Sequence, residues 1–225
     1  MENYDRRESL MAVVCPTITA YSTDDYKTQM DRILHLGPRI QIDLTDGEFT
    51  KEKTVGPEDA WWPVGMLADF HLMYKYPLSA VQEILKHKPN LIIVHAECEG
   101  SFDELVHLCK TAGVKVGAAL LQNTPTEVLY PALNQLDHVL IFSGNLGYQG
   151  GSYADLGLLE KVKDLKSKKP SLEIGWDGGV NDQNITELIL GGVDVVNAGG
   201  IIHNSQDPAK AYYALKLIAD ETGTT

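Results

Sequence analysis

The chain has only three cysteines, Cys15, Cys98 and Cys109. An odd number without metal-like spacing excludes a disulfide framework and a zinc ribbon, and leaves ordinary buried thiols. Long apolar runs are also missing. No stretch approaches the roughly 18 apolar residues of a membrane span, and the N-terminal MENYDRRESL is charged, with no run of signal-peptide length. Basic residues are scarce, 19 Lys and Arg against 31 Asp and Glu, for a net charge of -12 and a pI near 4.9. That balance excludes a nucleic-acid partner, which needs a basic face to displace counterions from phosphates. A small anion stays compatible, because backbone N–H groups and helix N-termini hold it without adding cations. We therefore expect a cytoplasmic protein with no membrane partner.

What the chain does have is a repeated apolar pattern over 225 residues, 44% of them hydrophobic. Short Val-, Ile- and Leu-rich runs occupy residues 10–15, 39–44, 67–72, 91–94, 114–120, 138–142, 172–176 and 193–197. Each is followed by a segment with helical spacing, such as Tyr26, Met30, Ile33 and Leu34, or Phe102, Leu105, Val106 and Cys109, or Leu158, Leu159, Val162 and Leu165. Asp24, Thr124, Asp182 and Asp207 stand where N-caps belong, with Pro125 and Pro208 at the first helical position. Continuous apolar strands, each followed by a helix, imply a parallel sheet covered on both faces. Eight such units predict one domain over residues 1–225, a (β/α)₈ TIM barrel. An open doubly wound sheet would carry a glycine fingerprint after its first strand, where this chain has PTITAYST.

In a barrel the functional residues sit at the C-terminal ends of the strands. Those ends are polar here: Gln41-Ile-Asp43-Leu-Thr45-Asp46-Gly47, Asp69-Phe-His71-Leu-Met73, His95-Ala-Glu97 and Trp176-Asp177-Gly178-Gly179. Strand alternation puts Gln41, Asp43 and Thr45 on one face, toward the barrel interior. Asp43 lies inside an apolar strand, where an unpaired carboxylate is costly, and Asp177 enters from the far side of the barrel. A flat sugar between them would meet one carboxylate on each face, which suits inversion at a carbon next to a carbonyl. Asp46, followed by glycine, reads as a turn former. Glycine-rich loops follow the last three strands and include Gly147, Gly150, Gly151, Gly178, Gly179, Gly199 and Gly200. They predict a phosphate site built from backbone N–H groups.

These motifs, with Pro16-Thr17-Ile18, Gly56-Pro57, Asn123-Thr124-Pro125 and Asn145-Leu-Gly147, occur in the order of the ribulose-phosphate 3-epimerases, which the chain resembles from about residue 10 to 203. The resemblance implies a divalent metal, Zn²⁺, Fe²⁺, Mn²⁺ or Mg²⁺, held by two aspartates that are also the acid–base pair and by two histidines. Carried over residue by residue, it assigns catalysis to Asp43 and Asp177, and metal ligation to Asp43, His71 and Asp177. Gln41 stands where the family has its other histidine, a weaker donor that shifts preference toward Mg²⁺ or Mn²⁺. Without metal, the Gln41 amide could donate to an oxyanion. Thr17, His71, Met73 and the seven glycines named above would contact a sugar phosphate, and the expected assembly is a homo-oligomer.

The reaction this implies is inversion at C3 of D-ribulose 5-phosphate or D-xylulose 5-phosphate through an enediolate. Thr45 stands in place of a family methionine, which keeps open another ketose phosphate, such as a hexulose 6-phosphate. A catalytically decayed phosphosugar-binding protein is a further alternative. A decarboxylase of the orotidine-phosphate kind is disfavoured, because its Asp-x-Lys-x-x-Asp pattern would need lysine at position 45.

Overall fold

The computed structural model describes residues 12–224. Eight strands form one closed, all-parallel barrel in chain order. They are β1 (Val13–Ile18), β2 (Arg39–Thr45), β3 (Leu67–Met73), β4 (Leu91–His95), β5 (Lys115–Leu120), β6 (His138–Phe142), β7 (Glu173–Asp177) and β8 (Val195–Ala198). Around them lie α1 (Thr23–Ile33), α2 (Leu78–Leu85), α3 (Phe102–Thr111), α4 (Leu159–Lys168), α5 (Ile185–Leu190), α6 (Gly200–His203) and α7 (Pro208–Gly223). The (β/α)₈ barrel read from the sequence is the observed fold. Its first strand lies later than the apolar run at 10–15, and Leu10 and Met11 of that run are outside the described residues.

Two of the eight expected helices are absent. After β2 there is only a 3₁₀ turn, Pro57–Asp59, and after β5 two, Thr126–Leu129 and Leu133–Gln135. The linker after β2 holds Gly47, Gly56, Pro57, Pro63 and Gly65, and the one after β5 holds Pro125 and Pro131. Proline lacks the N–H that a helix interior requires. Some caps also differ. Ser22 caps α1, accepting from the Asp25 N–H, so Asp24 lies in the first turn. Asn184, not Asp182, precedes α5, while Asp207 accepts from the Lys210 N–H with Pro208 at the first position, as expected.

Alternation along the strands divides the core in two. Ile40, Ile42 and Leu44 of β2 and Phe70 and Leu72 of β3 face outward, against Tyr26, Met30 and Ile33 of α1 and other helical residues. Each buried aliphatic side chain there contributes roughly 1.5–3 kcal/mol. Inside the barrel, Leu91, Ile93, Ala119 and Leu140 form a small separate cluster. Below it, Arg39 closes the N-terminal end, its Nε 2.6 Å from Asp69 and its two terminal nitrogens 3.1 and 2.8 Å from Glu173. Asp69 is thus part of the barrel floor, one layer below His71. With the floor plugged, the open polar end is the C-terminal one.

Candidate active site

Strand register assembles the site. Asp43 lies directly beside His71, Gln41 beside Thr17, and Asp177 beside Asn197 on one flank and Phe142 on the other. Because β7, β8, β1 and β2 are successive staves of the closed barrel, Asp43 and Asp177 reach one another across its mouth. Gln41 joins them: its Nε2 donates to Asp43 Oδ1 at 2.9 Å and to Asp177 Oδ2 at 2.6 Å. His71 Nδ1 lies 3.0 Å from the same Asp43 oxygen and 3.8 Å from Asp177 Oδ2. The other Asp43 oxygen accepts from the Thr19 hydroxyl at 2.8 Å.

Two acids this close cannot ionise independently. Burial, and next the negative charge of Asp43, push Asp177 up to about 7. Near neutrality, Asp177 is therefore divided between its protonated and ionised forms. Behind His71, His95 Nε2 lies 2.9 Å from His71 Nε2, and His95 Nδ1 is 3.3 Å from Glu97 Oε2. Burial lowers His95 to about 4. Glu97 is held below its usual range although burial opposes this, because His95, Thr124 and the Leu121 N–H bond to it.

Asp43, His71 and Asp177 offer one donor atom each, all within 4.8 Å of one another. Two carboxylates and an imidazole are a donor set suited to a divalent ion, and the three residues fit one. Gln41 is not a ligand in this arrangement, since an amide nitrogen has no lone pair to give. Turning the amide would present its oxygen instead. Nor is Gln41 free to stabilise an oxyanion, because both of its N–H groups are engaged by the carboxylates.

The carboxylates open onto a cavity of about 330 Å³. Thr17, Thr19, Met73, Phe142 and Asn197 line it close to the acids, and Gly147, Gly150, Gly151, Gly178, Gly179, Gly199 and Gly200 line it elsewhere. Its lining contains no Lys or Arg, so an anion there would be met by backbone N–H groups. At Gly178 the φ is +114°, and a Cβ would lie 2.2 Å from the Gly144 backbone nitrogen. At Gly200 a Cβ would lie 2.6 Å from the Gly150 Cα. The loops after β6, β7 and β8 therefore touch backbone to backbone. Tyr21 donates to the Gly147 carbonyl at 2.8 Å and Gln149 to the Thr17 carbonyl at 3.0 Å, which draws the β6 loop over the mouth.

Every residue anticipated for the site is at this end of the barrel, although His71 and Gln41 are buried and neither lines the cavity. Thr45 departs from the expected inward role: its hydroxyl donates to the Glu52 carbonyl and it lines no part of the cavity. Asp46 is the turn residue its Asp-Gly pair implies, accepting from the Glu48, Phe49 and Lys75 N–H groups. Thr19, Phe142 and Asn197 were missed. Thr19 was findable by alternation from Thr17, whereas Phe142 and Asn197 look like ordinary strand residues in the sequence.

Comparison with known proteins bears on the family and the fold. Residues 13–203 match the family model described as the ribulose-phosphate 3 epimerase family. The chain is 34% identical over 185 residues to a ribulose-phosphate 3-epimerase of Helicobacter pylori (strain J99), covering 80% of this chain and 85% of that one. It is 33% identical over 180 residues to the Bacillus subtilis (strain 168) enzyme of the same name, covering 76% and 82%. Among solved structures, 3-hexulose-6-phosphate synthase from Salmonella typhimurium superposes with a TM-score of 0.70 at 13% identity, over 93% of this chain and 99% of that one, a likeness of fold alone.

Proposed function

Because the chain belongs to the ribulose-phosphate 3 epimerase family and is an enzyme of the epimerase kind, we propose that it inverts C3 of D-ribulose 5-phosphate, giving D-xylulose 5-phosphate. The observation that carries this reading is the facing pair of Asp43 and Asp177, with Asp177 raised to about 7. One carboxylate removes the C3 proton, and the electron pair moves into the C2–C3 bond and onto the C2 oxygen as an enediolate. The opposite carboxyl then returns a proton to the other face of C3. In the reverse direction the two exchange roles. An acid that titrates near the working pH suits this exchange, since it can hold the proton and also release it.

The remaining residues position the reaction. Thr19 holds Asp43 through its second oxygen, and Gln41 ties both carboxylates to one amide. Phe142 and Met73 wall the reacting carbons from water, and the backbone of Gly178, Gly179, Gly199 and Gly200 receives the phosphate without a cationic side chain. A divalent ion held by Asp43, His71 and Asp177 would supply positive charge against the enediolate oxygens. The test is solvent deuterium exchange into D-ribulose 5-phosphate, followed by NMR on protein supplied with Mn²⁺, Zn²⁺ or Fe²⁺. Deuterium should enter at C3 and fail to enter with Asp43→Asn or Asp177→Asn. A wild-type protein that exchanges nothing under any of these metals removes D-ribulose 5-phosphate as the substrate.

A further inference from the structure

We propose that His95 and Glu97 are positioning residues that decide which nitrogen of His71 carries its proton, so that the His71 Nδ1 lone pair faces Asp43 and Asp177. The inference deepens the two-carboxylate reading above and rests on the same site.

Counting protons along the pair fixes the direction of each bond. The facing Nε2 atoms of His71 and His95 are 2.9 Å apart, a distance that requires one proton between them. The far end of the chain sets its direction. His95 Nδ1 faces Glu97 Oε2 at 3.3 Å, and an ionised carboxylate only accepts, so Nδ1 is the protonated nitrogen of His95. In a neutral imidazole the other nitrogen is then an acceptor. His71 must therefore donate from Nε2, and in a neutral ring that leaves its Nδ1 bare. That bare nitrogen points at Asp43 Oδ1, 3.0 Å away. Two lone pairs at this separation call for a positive centre between them, which a divalent ion held by Asp43, His71 and Asp177 would supply. Glu97 thus prepares His71 as a ligand rather than as a donor that would neutralise the pair.

Ring orientation and side-chain placement support the assignment. Turning either ring over would put carbon where nitrogen now stands and lose both of its contacts. Phe142 packs against both rings, 5.4 Å from His71 and 5.7 Å from His95, and Phe49 lies 4.9 Å from His95. Glu97 is oriented as well: its Oε1 accepts the Leu121 N–H at 3.0 Å, which leaves Oε2 for His95. The Ala96 N–H continues the pairing of β4 with β5, so His95 and Glu97, two apart, fall on one side.

The experiment reads the tautomers directly, by long-range ¹H–¹⁵N correlation on chelator-treated protein labelled at histidine, held at one neutral pH. In the wild type, His71 should carry its proton on Nε2 and His95 on Nδ1. In Glu97→Gln the Leu121 N–H claims the amide oxygen, so the NH₂ group faces His95 Nδ1 and both tautomers invert. Affinity for Mn²⁺ alone, measured by calorimetry, should then fall about 10–100-fold, the usual cost of disturbing a residue behind a ligand. A wild-type His71 protonated at Nδ1, whether or not Nε2 is also protonated, overturns the proposal without any variant. So does a folded Glu97→Gln protein with unchanged tautomers and unchanged Mn²⁺ affinity. Because none of these readings uses substrate, the expected tautomers in a protein that exchanges nothing would count against the epimerase reading alone.

Discussion

Replacing Asp177 by asparagine should make the protein more stable and much less active, by an amount that depends on pH in a defined sense. Asp177 moves from 3.8 to about 7 on folding, chiefly by burial and then by the charge of Asp43. Between those values the native state holds a proton that the unfolded chain has released, so unfolding free energy falls as pH rises and the penalty is complete above about pH 7. At about 1.36 kcal/mol per unit, the interval amounts to roughly 4 kcal/mol as a ceiling. Asparagine never ionises and keeps an oxygen that can accept from the Gln41 amide. Urea unfolding of chelator-treated wild type and Asp177→Asn should give curves that nearly coincide around pH 4 and separate by up to about 4 kcal/mol near pH 8, with the variant more stable. Deuterium exchange into substrate should drop by about 10²–10⁴ in the same variant, the usual contribution of a general acid or base. A variant no more stable than wild type near pH 8, or a gap that does not close toward pH 4, would refute the reasoning.

Other perturbations separate the parts of the molecule. Thr19→Val removes the hydroxyl that donates to Asp43 at 2.8 Å; a bond to a charged group is worth about 1.5–3 kcal/mol, so urea unfolding should show a loss of about that size, and turnover should fall as Asp43 loses its hold. Gln41→His adds an imidazole beside the three donors, and calorimetry should show Zn²⁺ affinity rising about tenfold or more; unchanged affinity would place position 41 outside the ligand sphere. Arg39→Met leaves Asp69 and Glu173 without their cation and should cost roughly 3–5 kcal/mol in urea unfolding. Because Arg39 lies at the closed end of the barrel, Mn²⁺ affinity should not follow.

Much of the fold was legible in the sequence because parallel strands buried on both faces are written as unbroken apolar runs, and β6 agrees with its run residue for residue. The same logic failed after β2 and β5, where regular spacing suggested helices but prolines and glycines make only 3₁₀ turns. The site was legible to the extent that burying a polar group is costly: Asp43 and His71 stand out as ionisable side chains inside apolar strands.

By itself, then, the sequence determined the barrel, the end at which the polar residues gather, and the chemical types available there, since composition and period act locally along each strand. Only the tertiary structure decided how those residues are joined. Gln41 meets Asp177 from 136 positions away, and Thr19 reaches Asp43 from just past the end of the neighbouring strand. Glu97 acts on His71 only through His95. Hydrogen-bond direction is a property of the closed barrel, because a donor is defined by what faces it, and Asp177, Thr19 and His95 each face a partner from another strand or loop.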